Sequence, residues 1–176
     1  APLGLEKLFR SKSAAEIALE DNIITVVVHD KNLFSINSLK RMKVLEAELT
    51  RNNFVLEVNS LYSIQDANSY FFDETKQTII TGKETTKEDV DYAKYQATHN
   101  RLLLSRLINS QATTVAFYVT LKQMSQAQTY QARDAIESIL QGYQSKFGSI
   151  FQIGDVEVHS YLFQSSKHDA KTIGVL

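Results

Sequence analysis

Ile23-Ile24-Thr25-Val26-Val27-Val28 is short, β-branched and apolar on both faces. That pattern predicts a strand buried in the middle of a sheet. A polar turn, His29 to Asn32, follows it. Ile36, Leu39, Met42, Leu45 and Leu49 then recur at spacings of three and four, one face of an α-helix. Ser35 stands where an N-cap belongs, and Lys40, Arg41, Lys43, Glu46, Glu48 and Arg51 fill the opposite, solvated face. Phe54, Leu56 and Val58 alternate with Val55, Glu57 and Asn59. Strict alternation predicts a strand with one wet face, near a sheet edge.

The same order returns later in the chain. Thr113 to Leu121 contains the continuous apolar run Val115 to Val119. Thr129 to Phe147 reads as a helix with Ile136, Ile139, Leu140, Tyr143 and Phe147 on one face. Ile150 to His159 reads as an alternating strand, with Gly154 marking a bulge. The pattern is therefore βαβ, an insertion, then βαβ. Two such units with right-handed crossovers predict an α+β, ferredoxin-like sandwich. Its sheet is antiparallel and four-stranded, in the order 4-1-3-2, with both long helices on one face. That topology puts the first and third strands inside and the second and fourth outside, in agreement with the two-sided and alternating patterns.

Residues 64–110 are too long for a plain loop. They predict a helical insertion in which Lys87 to Ile108 forms one helix, with Val90, Ala93, Ala97, Leu104 and Leu107 roughly in register. Leu102, Leu103 and Leu104 are apolar enough to be buried. Residues 1–20 read as an irregular amphipathic helix or connection carrying Leu8, Phe9, Ile17 and Leu19. Residues 21–176 read as one domain, since no Pro/Ser/Gly-rich linker divides them and the one proline is Pro2.

Composition narrows the function classes. Lys plus Arg is 19 and Asp plus Glu is 20, a net charge of −1. Such a balance exerts no pull toward nucleic acid or anionic lipid. Phe117 and Tyr118 lie on a central strand, but neighbours point to opposite faces, and the glycines and basic residue of RNA-recognition modules are missing. With no cysteine there is no disulfide, thiolate site or cysteine nucleophile. The longest apolar runs are about five or six residues, far short of the roughly 18 that cross a bilayer. The start of the sequence shows no leader-peptide pattern.

Motifs for nucleotide binding, zinc peptidases, serine hydrolases and kinases are missing. His29, beside Asp30, and His159 come from strands that the topology makes neighbours, which is the one metal-site reading on offer. The simpler reading makes them polar strand ends. His168-Asp169 reads as a solvated tail pair. Asp66, Asp73, Glu74, Glu84, Glu88, Asp89 and Asp91 crowd the insertion, where paired carboxylates would suit acid–base work. Interleaved with Lys76, Lys83, Lys87 and Lys94, they read better as a solvated face. Tyr70, Phe71 and Phe72 are the candidate ligand or partner surface, an apolar patch for a lipid-like ligand or a protein. The competing reading has these rings sealing the insertion onto the core. No enzyme activity, metal or cofactor is expected.

Several ordered words of the chain resemble a known family. Asn22 to Asp30, then Leu33-Phe34-Ser35 opening a helix with Leu39 and Leu45, then Phe54 to Leu61, resemble the first extracytoplasmic loop domain of RND-superfamily exporters of the MMPL-like branch. Asn100 to Val119 resembles a later stretch of the same domain, and His168-Asp169-Ala170 resembles the approach to the second membrane helix. The likeness runs from about Asp21 to Leu176 through short words, with no single diagnostic motif. It implies a periplasmic porter domain of a multi-pass inner-membrane protein, joined to the membrane before Ile23 and after Phe163. Its partners would be a second porter-like domain and the transporter's own membrane helices. Its substrate would be hydrophobic or lipid-like, moved by rigid-body change. The family's energy-coupling residues lie in membrane helices and have no counterpart in this sequence. The alternative is a free-standing ferredoxin-like module for ligand binding or regulation. A small enzyme on the same fold is a further one, since fold does not choose function.

Overall fold

A computed structural model describes residues 22–64, 78–101 and 103–154. The expected N-terminal helix, Tyr70-Phe71-Phe72, Leu102, His159 and His168-Asp169 lie outside those residues. The elements in chain order are β1 (Ile23–His29), α1 (Ile36–Arg51), β2 (Val55–Asn59), α2 (Lys87–Thr98), β3 (Thr114–Leu121), α3 (Gln126–Gln141) and β4 (Ser149–Gly154). The strands form one four-stranded sheet in the order β2-β3-β1-β4, with every neighbouring pair antiparallel. Read from the other edge this is the expected 4-1-3-2, so the fold is the α+β sandwich that the hydrophobic pattern predicts.

Register sorts the side chains onto two faces. Ile24, Val26 and Val28 of β1 stand opposite Val119, Phe117 and Val115 of β3. Val58 of β2 joins this layer opposite Val119, and Ile150 of β4 joins it opposite Val28. Leu39, Met42, Leu45 and Leu49 of α1 and Ala132, Ile136 and Leu140 of α3 are buried in the same core. Gln152 of β4 donates to Glu137 Oε2 at 2.9 Å and to the Arg133 carbonyl at 3.0 Å, which ties α3 to this face. On the other face Thr25, Val27 and Ala116 are buried too, so β1 and β3 are covered on both sides as their sequences require.

Both long helices start on side-chain caps. Ser35 Oγ accepts from the Ser38 N–H at 3.2 Å. Ser125 and Gln128 form a reciprocal capping box, which starts α3 three residues earlier than the expected Thr129. The helix also ends earlier than expected. At Gly142 it gives way to i→i+3 turns, Gly142 N–H to the Ile139 carbonyl and Tyr143 N–H to the Leu140 carbonyl. Those turns keep Tyr143 and Phe147 buried. Tyr143 donates to Glu48 Oε1 at 2.6 Å and fastens the end of α3 to α1. Burial and that carboxylate push the tyrosine hydroxyl well above its ordinary pKa. Ile139, expected among the core residues facing the sheet, is half-buried at the border of the core. The inward line runs through Ala132, Ile136 and Leu140 instead.

The second strand departs from strict alternation. Val55 pairs with Leu121 and Glu57 with Thr120, so Leu56 is an extra residue, a bulge. Val55 and Val58 therefore both face the core, while Leu56 is 64% exposed. The bulge expected at Gly154 is not there, since Gly154 pairs with Ile24 in unbroken register.

The expected single helix from Lys87 to Ile108 also breaks. α2 stops at Thr98, where the His99 ring stacks on Tyr95 at 3.9 Å between centroids. The reason lies in the sheet. β2 pairs only with Tyr118 to Leu121, so the edge of β3 from Thr114 to Phe117 lacks a strand partner. Buried backbone donors must be matched, and a helix has no free groups to offer. The chain after α2 instead folds into turns and returns along that edge. The Ala116 N–H donates to the Leu107 carbonyl at 2.9 Å and the Asn109 N–H to the Thr114 carbonyl at 3.1 Å. Asn109, 1% exposed, closes the tight return. Its Oδ1 accepts from the Thr113 and Thr114 N–H groups at 2.8 and 3.0 Å, and its Nδ2 donates to Thr113 Oγ1 at 2.8 Å.

Two outcomes test these assignments in urea melts. Leu45→Ala removes a fully buried side chain and is expected to destabilise by about 2–5 kcal/mol. Leu56→Ala is expected to change stability by no more than about 0.5 kcal/mol. A core-sized loss from Leu56→Ala would remove the bulge. In a separate experiment, Asn109→Ala strands the buried Thr114 N–H and is expected to cost about 1–3 kcal/mol. A neutral result would show that water replaces the amide.

Candidate functional site

Of the residues read as a metal site, His159 lies outside the described residues, while His29 and Asp30 are engaged structurally. His29 Nδ1 lies 2.7 Å from Thr114 Oγ1. Asp30 Oδ1 accepts from the Asn32 N–H at 2.7 Å and its Oδ2 from the Gly148 N–H at 3.0 Å. Asp30 thus pins the turn after β1 to the start of β4. Gly148 suits this close approach, because a Cβ would sit 3.0 Å from the His29 carbonyl oxygen. Among the described residues no group of three His, Cys, Asp or Glu side chains converges as a metal site.

The insertion's carboxylates are not all solvated. Asp89 fits that reading in part. It is exposed and closes the capping box of α2, its Oδ2 accepting from the Thr85 and Thr86 N–H groups at 3.1 Å each. Those backbone donors hold its pKa below the usual value. Glu84 contradicts it. Only 7% of Glu84 is exposed. Its Oε1 accepts from the Thr81 N–H at 2.8 Å and the Thr81 hydroxyl at 3.1 Å, while its buried Oε2 has no hydrogen-bond partner. Glu46, expected on the wet face of α1, is a second exception. Its side chain is 14% exposed and its Oε2 is likewise unmatched.

These carboxylates belong to one place, where residues 78–84 lie over the turn that follows β2. Ser60 shapes that turn by accepting from the Tyr62 N–H at 3.0 Å. The incoming chain docks with two backbone bonds, Ile79 N–H to the Ile64 carbonyl and Ile80 N–H to the Leu61 carbonyl, both 3.1 Å. Ile80 then closes a seam with Met42, Leu61, Tyr62 and Phe117 that leaves no room for a water molecule. The Tyr62 ring stacks on Phe117 at 6.4 Å, and its hydroxyl donates to the Leu39 carbonyl. Gly82 has φ +79°, and a Cβ on it would fall 2.9 Å from Lys43 Cγ. Glycine therefore serves both the left-handed backbone and the close approach to α1.

The electrostatics are unbalanced. Lys43 Nζ sits 5.5 Å from the Tyr62 ring centroid and 3.9 Å from Glu46 Oε2. The second distance is too long for a hydrogen bond. Burial raises the Glu46 pKa, with Lys43 pulling the other way and losing. Burial, helped by Glu84 and then Glu46, pushes the Tyr62 hydroxyl well above its ordinary pKa. Beside the seam, Thr78, Thr81, Lys83, Glu84, Asp89 and Tyr92 line an open cavity of about 180 Å³.

Sequence reasoning placed Glu46 and Glu84 on solvated faces and passed over Tyr62. Thr81-x-x-Glu84 has the spacing of a capping box, and the threonine does hand its N–H to the glutamate. That word was a usable signal for a locally engaged Glu84. Nothing in the sequence marked the burial of Glu46.

No family model, no curated protein and no solved structure matches this chain.

The pH dependence of stability tests the site. A carboxyl whose pKa is raised on folding binds its proton more tightly in the folded state. Its charge then weakens the fold above the folded pKa, and that loss is removed as pH falls toward the ordinary value of 4.5. Glu46→Gln is expected to raise the urea midpoint at neutral pH, with the gain shrinking in acid. A gain independent of pH, or a loss at neutral pH, would show that the Lys43 pair dominates.

Proposed function

We propose that this chain is a porter-type extracytoplasmic domain of an RND-like exporter, in the MMPL-like branch. It forms part of the wall of the substrate path and moves as a rigid body, with no bond-making chemistry. Its partners are a second porter-like domain and the membrane helices of the same protein. Its substrate is hydrophobic or lipid-like, and it faces the periplasm.

The observation that carries this reading is the architecture: two βαβ halves with a long insertion at their junction. The resembling words fall on its working parts. Asn22 to Asp30 is β1 and its exit turn. Leu33-Phe34-Ser35 is the capped entry to α1, with Leu33 fully buried. Phe54 to Leu61 is β2 and the turn under Ile80. Asn100 to Val119 is the return segment and most of β3. A sheet buried on both faces also supplies the stiffness that rigid-body motion requires. No helix among the described residues is long and apolar enough to cross a membrane, so anchoring would fall to other parts of the exporter.

The test uses the full-length gene product in its own cells. The chain has no cysteine, and the 64% exposure of Leu56 makes Leu56→Cys a clean reporter. With any other cysteines of the product replaced, a membrane-impermeant maleimide is expected to label it in intact cells, and the labelled protein to sediment with the inner membrane. Labelling only after lysis, or recovery in the soluble fraction, would overturn the reading in favour of a free-standing module.

A further inference from the structure

We draw no further inference here: the strongest candidate, the open cavity of about 180 Å³ between residues 78–84 and α2, carries nothing, because the unmatched oxygen of its buried Glu84, Oε2, is closed off from solvent and so does not open into it, and no other described residue of its wall points to a ligand.

Discussion

The edge of β3 from Thr114 to Phe117 governs the rest of this structure. β2 is five residues long and leaves those positions without a strand. A central strand with open donors and acceptors on one side is unstable and invites pairing with other chains. Leu107, Ile108 and Asn109 close it from within the same chain. Closing it dictates where the insertion must end, why α2 cannot run on to Ile108, and why Asn109 is buried in a turn with Ala112 at φ +56°. The return also brings the Arg106 carbonyl within 2.6 Å of the Tyr118 hydroxyl, so the covered edge and one sheet face are fastened by the same segment.

The layout of the sheet was legible from sequence because two-sided and one-sided burial leave different patterns. Val26-Val27-Val28 and Val115 to Val119 advertised central strands, and both are central. Leu39, Met42, Leu45 and Leu49 advertised a helix face, and all four are buried. The failures share a physical cause, since each is a tertiary demand on a segment with ambiguous local preference. Leu56 fits an alternating strand, yet a bulge turns it outward. Leu104 and Leu107 fit a helical stripe, yet the β3 edge needed backbone and the helix stopped at Thr98. Ile139 lies at the border of the core, which Ala132, Ile136 and Leu140 fill.

The candidate site was scarcely legible. Its members come from three places in the chain, Lys43 and Glu46, then Tyr62, then Thr81 to Glu84. None of the three is unusual alone. Glu46 has ordinary helix propensity and ordinary lysine neighbours. Its pKa is raised by burial, which the tertiary fold imposes and the local sequence does not announce. Charge composition hides the effect as well, because a net charge of −1 over the chain coexists with a local excess of buried carboxylate.

The insertion is therefore held at two ends by interactions of different kinds. Its exit, at Leu107 to Asn109, is fixed by neutral backbone pairs and by an amide whose side chain is engaged on both sides. Earlier in the insertion, among the described residues, Ile79 and Ile80 are held by two backbone pairs and by the apolar plug of Ile80, and the neighbouring Glu84 keeps Oε2 buried without a hydrogen-bond partner. Both attachments are made to the same core, which packs against the sheet through Phe117 and Val115.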